Sequence, residues 1–489
     1  MVLCHGYRYW VLLLGCLCMT SISSNMYTFN IAQVCMSTTN NGTSLQKVGN
    51  WKQIDYTPFE VSMINGVVGA GTMLATIPST EIYSRFGLKK PFIAAGLISA
   101  LSTGVLPFAA EFHLYAMLAT RFIQGMSYAA IYPAIAILSS SWASLKQCGL
   151  FICVYICYTP LSSGLTNGLG GIMCNSSFGW PLVYFSHAAV GVVIFLLWMF
   201  FFNDHPHKHS AVSKIELEKI QRDKTEALMH GDNDIPYKAI LSDVVIWTIW
   251  FNNLAEIFIT NFLFVYAPYY ISNVLRFSTE TTGLFSAFTS SMQIPLRLIC
   301  GFLSDKIKFV SERNKMIFFN TIGLASGGII CALVGYVPDE YPVVPVILFG
   351  LCNLATGAAT VGFFKCGIIY ARQVLLMLIK QYSAFVTSTC QFIKCLAVFL
   401  GPALVAIFVK DETSKTQWRI IFLITSCWQA NIIFIKFCTA NPAPYTVESP
   451  LKMRGADETL MSKRLSKEQL DDIERVRRNS MMSVAGAVM

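Results

Sequence analysis

The sequence predicts an all-α membrane protein, with twelve transmembrane helices arranged as two pseudo-symmetric six-helix bundles. Three observations carry that prediction. Of 489 residues, 54% are hydrophobic and only 13% charged. A typical soluble domain has about 25% charged residues, so most of this surface must face lipid. Apolar runs long enough to cross a bilayer, about 20 residues each, recur along the chain. They fall into two groups of six around one long polar stretch. The net charge of +9 forms no basic stripe, which argues against a nucleic-acid partner and makes the basic residues topology signals. Sixteen cysteines are scattered without CxxC pairs or His/Cys ligand spacing, so no metal site is expected.

In order, the first span runs from Tyr9 to about Asn30. Arg8 before a short apolar core imitates a signal peptide, but no small-residue cleavage site follows, and the run reads as a retained helix. The polar loop Cys35–Thr57 carries Asn41-Gly42-Thr43, a glycosylation acceptor. Further spans are expected near Phe59–Ile82, Pro91–Ala110, Leu114–Leu138, Cys148–Gly171 and Pro181–Phe202. Pro160, Gly164, Gly168 and Gly170 mark bends or close contacts in the fifth. Asn175-Ser176-Ser177 is a second sequon. In the polar loop from Asp204 to Ser242, the spacing of Ile215 and Ile220 predicts a short amphipathic helix with both on one side. His205, His207 and His209 alternate there without further ligands and read as loop residues, not a metal site.

The second set lies near Val244–Ile271, Gly283–Leu303, Lys315–Val337, Val343–Ala371, Ser383–Val409 and Trp418–Phe437. The implied domains are residues 1–203, an N-terminal six-helix bundle; 204–242, a cytoplasmic central loop; 243–440, a C-terminal six-helix bundle; and 441–489, a disordered tail short of aromatics. Basic residues in the short loops favour the side of Arg85–Lys90, Lys146 and Lys306–Arg313. That side is therefore cytoplasmic, with both termini. Both sequons, Asn41 and Asn175, then face outside or a lumen. Cys35 and Cys174 share that oxidising side and form a candidate disulfide.

Arg121 stands inside the fourth span, in Arg121-Phe122-Ile123-Gln124-Gly125-Met126-Ser127-Tyr128-Ala129-Ala130. An arginine in such a run costs roughly 2.5–3.5 kcal/mol on insertion scales, so it faces either a protein-lined cavity or, by snorkelling, a helix end. A planar, permanently charged guanidinium can grip a carboxylate or phosphate with two hydrogen bonds. Small residues after it let neighbouring helices approach.

Two loops echo each other at matching places in the halves: Ile77-Pro78-Ser79-Thr80-Glu81-Ile82-Tyr83-Ser84-Arg85-Phe86-Gly87, with Lys89 and Lys90 just beyond, and Gly301-Phe302-Leu303-Ser304-Asp305-Lys306. Paired loops of this kind are what repeated transporter halves show. They resemble the Gly-x-x-x-Asp-Arg-x-Gly-Arg-Lys signature of the major facilitator superfamily. Thr80 and Ser84 replace its glycine and aspartate in the first copy, while the second keeps Gly301 and Asp305. Within that superfamily the chain resembles the anion/cation symporter group of sialin, vesicular glutamate and sodium–phosphate transporters, as an invertebrate-type member. Arg121–Gly125 with Tyr132-Pro133-Ala134, Ser177–Pro181, Gly362–Cys366 with Ala371-Arg372-Gln373, Gln391–Cys395 and Gly401-Pro402-Ala403 carry the likeness. It spans roughly Tyr7 to Thr446.

The resemblance implies gating roles for Arg85 and Asp305. It also locates three departures. A first-helix arginine of many members falls on Met26, a fourth-helix acid on Tyr128, and a seventh-helix arginine of glutamate carriers near Glu256. Two arrangements of the remaining charges are open. In one, Arg121 and Glu256 face a central cavity from opposite halves, Arg121 holding an anion and Glu256 carrying a proton or pairing with Arg121 when empty. In the other they form a structural pair locking the halves. Tyr128 and Asn253 are further candidates for the substrate site; Asn65, Asn252 and Gln293 either bond substrate or bridge helices. Tyr132 and Tyr266 line the path or pack. Arg297 joins the coupling residues or snorkels at a helix end. Lys365 and Lys394 are placed near helix ends in gate or structural roles. Residues 374–381 fall where the resemblance implies a direct passage from Ala371-Arg372-Gln373 into the next segment, and they either extend a helix or are an artefact of the gene model.

No ATP-binding loop is visible and no triad or metal constellation, so the expected protein is not an enzyme and needs no cofactor. It is a monomeric secondary transporter of a small anionic solute, in the plasma membrane or a vesicular or lysosomal membrane. A proton or sodium gradient drives it. One charge crossing 100 mV gains about 2.3 kcal/mol, roughly fifty-fold accumulation. A receptor or scaffold that retains the fold without transport is the alternative.

Overall fold

The computed structural model of the chain describes residues 6–37, 51–144, 148–221, 242–307, 309–364, 366, 381–426 and 429–439. Every regular element within them is helical. Twelve rods account for nearly all of it. The first three are continuous: α1 (Tyr7–Met36), α2 (Pro58–Phe86) and α3 (Lys89–Phe112). The fourth is α4 (Leu114–Tyr128) with α5 (Ile131–Trp142), the fifth α6 (Cys148–Ile156) with α7 (Tyr158–Cys174), and the sixth α8 (Pro181–Phe201). A short α9 (Lys214–Gln221) follows. The second set opens with α10 (Val244–Asn273), then α11 (Thr279–Ser291) with α12 (Gln293–Lys306). The ninth rod joins α13 (Glu312–Asn320), a π-helical stretch Thr321–Ser326 and α14 (Gly327–Val334). The tenth is α15 (Val343–Ala359) with a π-helical stretch Thr360–Phe364. The eleventh is α16 (Gln381–Phe408), and the twelfth α17 (Lys415–Thr425) with α18 (Gln429–Phe437).

Local chemistry sets where these rods begin and bend. Thr57 and Glu60 form a reciprocal capping box ahead of Pro58, which needs no N–H at a helix start. Asp243 accepts from the Val245 N–H at 2.8 Å and starts α10. Three rods break in mid-span, each three or four residues before a proline. Pro133 follows the break at Ala129–Ala130, Pro160 the break at Cys157, and Pro295 the break at Met292. Proline offers no N–H to the carbonyl four residues back and clashes with it, so that carbonyl is freed for another partner.

The two halves meet along three pairs: α2 on α16, α7 on α11, and α1 on α10 at the centre. α1 and α10 are accordingly buried along most of their length, whereas α8 turns most of its side chains outward. Cys35 and Cys174 are joined by a disulfide, Cα atoms 6.0 Å apart, tying the end of α1 to the end of α7. This disulfide end of the bundle also holds the exposed Asn175, whose Nδ2 donates to Glu280 at 3.4 Å. The opposite, basic-loop end carries Arg85, Lys89 and Lys90. There Gly87 turns with φ 75°, and the Asp204 carboxylate accepts from the N–H groups of Leu88 and Lys89 at 3.0 and 2.8 Å. The loop after α8 thus caps α3.

α9 corrects one expectation. Ile220 and Glu216 are buried, and Ile215 is exposed. Five residues at 100° each put Ile215 and Ile220 about 140° apart, on different faces, whereas Glu216 and Ile220 share one. The Glu216 carboxylate accepts from the Arg8 backbone N–H at 2.9 Å, which docks α9 on the start of α1. Asn41, Lys146, Lys365, residues 374–380 and the tail beyond 439 lie outside the described residues.

Candidate functional site

Arg121 sits two turns into α4, and glycine brings α4 against α2. A side chain at Gly125 would place its Cβ 2.2 Å from the Val68 carbonyl oxygen, so only glycine permits this backbone approach. Thr72 Oγ1 donates to the Gly125 carbonyl at 2.9 Å and fixes the contact. The guanidinium, 2% exposed, is thereby held in the protein interior. It donates to the Met26 carbonyl at 2.8 Å, Gln124 Oε1 at 2.8 Å, Asn65 Oδ1 at 3.3 Å and the Ile64 carbonyl at 3.4 Å. Phe29 lies under it, 5.4 Å from ring centroid to Cζ. Every partner is neutral, and among the described residues no carboxylate pairs with it.

The cavity at Arg121 lies on the seam. α1, α2 and α4 contribute Met26, Tyr27, Asn65 and Arg121; α10 and α16 contribute Asn261, Tyr266 and Pro402. Its volume is about 20 Å³, room for a water or two. Cross-half bonds close it: Tyr27 Oη to Asn261 Oδ1 at 3.1 Å and Asn30 Nδ2 to the Phe264 carbonyl at 3.4 Å. This is a seam shut around its buried cation.

A second charged layer lies further toward the basic-loop end. Lys394 is in the middle of α16, 3% exposed, on the helix face that carries Ala397, Val398 and Gly401 into the Arg121 cavity. Its ammonium stands 4.9, 5.0 and 4.9 Å from the ring centroids of Tyr128, Tyr132 and Tyr158, and bonds the Tyr158 hydroxyl. A desolvated cation over such rings gains about 2 kcal/mol from their quadrupoles. Nearby, Arg297 Nη2 and Glu256 Oε1 form a buried ion pair at 3.3 Å. Arg297 Nη1 also reaches across the halves to the Ile156 carbonyl at 3.4 Å. Ile156 precedes Pro160 by four residues, so this is the acceptor that the proline freed. Thr260 donates to Glu256 at 3.5 Å; Gln293 donates to Thr260 at 3.3 Å and to Thr356 at 3.1 Å. Among the described residues, the core between the halves therefore carries three buried cations, Arg121, Arg297 and Lys394, against one carboxylate, Glu256.

The profile described as Major Facilitator Superfamily matches residues 13–402. The chain belongs to the Major Facilitator Superfamily. Among curated proteins, the transporter is 23% identical over 380 residues to the probable small intestine urate exporter of Mus musculus, covering 76% of this chain and 74% of that one. It is 24% identical over 308 residues to sodium-dependent phosphate transport protein 3 of Homo sapiens, covering 61% and 69%. The uncharacterized transporter slc-17.3 of Caenorhabditis elegans is 23% identical over 402 residues, covering 79% and 72%. These relatives match the anion/cation symporter group. Among solved structures, an inward-facing, unoccupied bacterial homolog of the human lysosomal transporter Spinster superposes with a TM-score of 0.63. The identity is 14%, over 89% of this chain and 99% of that one. Such a likeness shows the fold, the twelve-helix bundle in two halves.

The transporter's charges are arranged differently from the expected pattern. Arg121 and Glu256 are not partners: Arg121 is satisfied within its own half, and Glu256 pairs with Arg297. Arg297 neither snorkels nor lies at a helix end, because Glu256 and the freed Ile156 carbonyl hold it inside at 4% exposure. Lys394 is likewise central. The α16 helix begins and ends equally far from it, which the span Ser383–Val409 already implied. Tyr128 bonds Tyr158 at 3.3 Å and belongs to the Lys394 cage, not to the Arg121 cavity. Asn253 is buried one turn from Glu256, with its Nδ2 lacking a partner among the described residues. Arg85 is exposed and pairs with Glu81 on its own helix at 2.6 Å. Asp305 lies on α12, and its side chain is outside the described residues. Tyr158 was not singled out from sequence; its place directly after the break at Cys157, two residues before Pro160, gives no chemical signal of its own.

Proposed function

We propose that the protein is a secondary active transporter of small organic or inorganic anions, working by alternating access of the two halves and driven by a proton or sodium gradient. The observation that carries this reading is the buried Arg121 guanidinium, which lines a cavity on the seam and has only neutral partners. An anion entering there would supply the charge that Met26, Gln124 and Asn65 do not. The excess of cations over carboxylates in the core favours the same class of solute. Relatives named for phosphate and urate point the same way. Residues 1–203 and 243–440 would rock about the seam. The basic-loop end would face the cytoplasm with both termini, and the end with the Cys35–Cys174 disulfide the outside or a lumen. Monomers suffice, since both halves of the cavity come from one chain.

Reconstituted protein should take up labelled phosphate or organic anions when a sodium or proton gradient is imposed, and the responding gradient names the coupling ion. Arg121→Gln should lower uptake about ten-fold or more, the loss of one charge-assisted interaction of roughly 1.5–3 kcal/mol. Folded protein that transports no anion under any gradient would instead favour a receptor that kept the fold.

A further inference from the structure

We infer that the transporter binds a monovalent cation of sodium's size in a second cavity, at the disulfide end between Glu412 and Gln33. This cavity is about 120 Å³ and is shared by the two halves. Gln33 and Ser37 from the end of α1 and Tyr56 from the loop before α2 form one wall. Tyr269 and Asn273 of α10 and Glu412 of the α16–α17 loop form the other.

Glu412 is held in place for the task. Its backbone carbonyl accepts from Trp418 Nε1 at 2.9 Å, and its Oε2 accepts from Asn273 Nδ2 at 2.8 Å. Facing it, Gln33 is 6% exposed, and both polar atoms of its side-chain amide are buried without a partner among the described residues. The Tyr56 hydroxyl is buried in the same condition. Leaving such groups unpaired is costly, so an ion that the oxygens of Gln33 and Tyr56 can ligate, with a water to accept from the Gln33 amide, is favoured. None of the described lining residues is basic, and oxygen donors surround a single carboxylate. One negative charge with neutral oxygens suits a monovalent hard cation; calcium sites recruit several carboxylates. The volume admits the ion with several waters, which can relay the neutral donors to it.

The electrostatics agree. Burial pushes the Glu412 carboxyl up, and the nearby charges of Asp411 and Asp55 add to that, against the hydrogen bonds from Tyr269 and Asn273. Glu60 is the other acidic group near Tyr56. A bound cation relieves this repulsion, so cation and proton compete for Glu412. Because its walls come from both halves, an occupied site would hold the disulfide end closed. Only that last step, from binding to coupling, rests on the transport reading above.

The test is thermal unfolding of the detergent-purified full chain, with sodium chloride exchanged for choline chloride at constant ionic strength. Sodium should raise Tm by about 2–4 °C over choline, and potassium should do less. Glu412→Gln should abolish the difference, as should Gln33→Leu, which keeps the loop carboxylate. Lowering the pH through the raised titration of Glu412 should shrink the shift in the native protein. No sodium-specific shift, or an equal shift in native protein and both variants, overturns the site. Loss of the shift with uptake intact sinks this site alone; failed uptake with the shift intact sinks only the transport reading.

Discussion

Glu256 is the residue on which the balance of charge in the core turns. It neutralises Arg297 directly, at 3.3 Å, while Lys394 lies close enough for its charge to be felt. Removing one member of a buried pair leaves an uncompensated charge, at about 3–5 kcal/mol. Glu256→Gln should therefore lower Tm measurably, whereas replacing Glu256 and Arg297 together by glutamine and methionine should recover most of it. If Glu256 also carries a proton through the cycle, the single variant loses the pH response of uptake. Uptake with an unchanged pH response in a folded Glu256→Gln protein would remove that role. Lys394 behaves differently because its partners are rings and a hydroxyl, not a carboxylate. Lys394→Met fills the tyrosine cage with an apolar chain and should keep the fold. It should nevertheless cut anion uptake several-fold, since one of three core cations is gone; native uptake by this variant would make Lys394 a packing residue.

At the scale of helices, proline placement decides which carbonyls the charged side chains can reach. Pro160→Ala restores an N–H opposite the Ile156 carbonyl. Alanine gains about 3 kcal/mol in helix propensity, and the freed acceptor of Arg297 is lost, a charge-assisted bond of roughly 1.5–3 kcal/mol. The two effects nearly cancel, so Tm should move by little while the cross-half tie weakens. Uptake rates that differ from native by more than about two-fold at unchanged Tm are the expected result, and an unchanged rate would show that the tie is idle. Much of this layout was legible beforehand. The apolar runs located the rods, and Pro160 marked a bend. What the sequence hid was the direction in which each polar side chain points. A lysine in the middle of a span and an arginine beyond the midpoint of another look alike as breaks in apolarity. The tyrosines that receive Lys394 come from α4, α5 and α7, far away in the chain. The two π-helical stretches at Thr321–Ser326 and Thr360–Phe364 likewise follow no proline or glycine rule that a linear reading exposes.

For the whole molecule, the arrangement of two halves could be read from the paired loops and the count of spans, but its state could not. Bonds cross the seam on both sides of the Arg121 cavity: Tyr27–Asn261 and Asn30–Phe264 toward the disulfide, Lys394–Tyr158 and Arg297–Ile156 toward the basic loops. Alternating access requires these two sets to break in turn. The disulfide end depends on backbone contact between α7 and α11, where a Cβ on Gly171 would lie 3.0 Å from the Gly283 Cα and 3.2 Å from the Thr279 carbonyl oxygen. Alanine there would be tight, and leucine cannot be accommodated without moving the helices apart. Gly171→Leu should therefore hold the disulfide end open and leave the basic-loop contacts intact. In a background stripped of reactive thiols, Asn65→Cys in the Arg121 cavity should then react faster with a membrane-impermeant reagent applied from the disulfide side. Net uptake should fall below about a tenth of native, because the carrier no longer passes through the closed state. Unchanged labelling with unchanged uptake would mean that this contact is not part of the moving seam, and the two-lobed mechanism would lose its gate at the disulfide end.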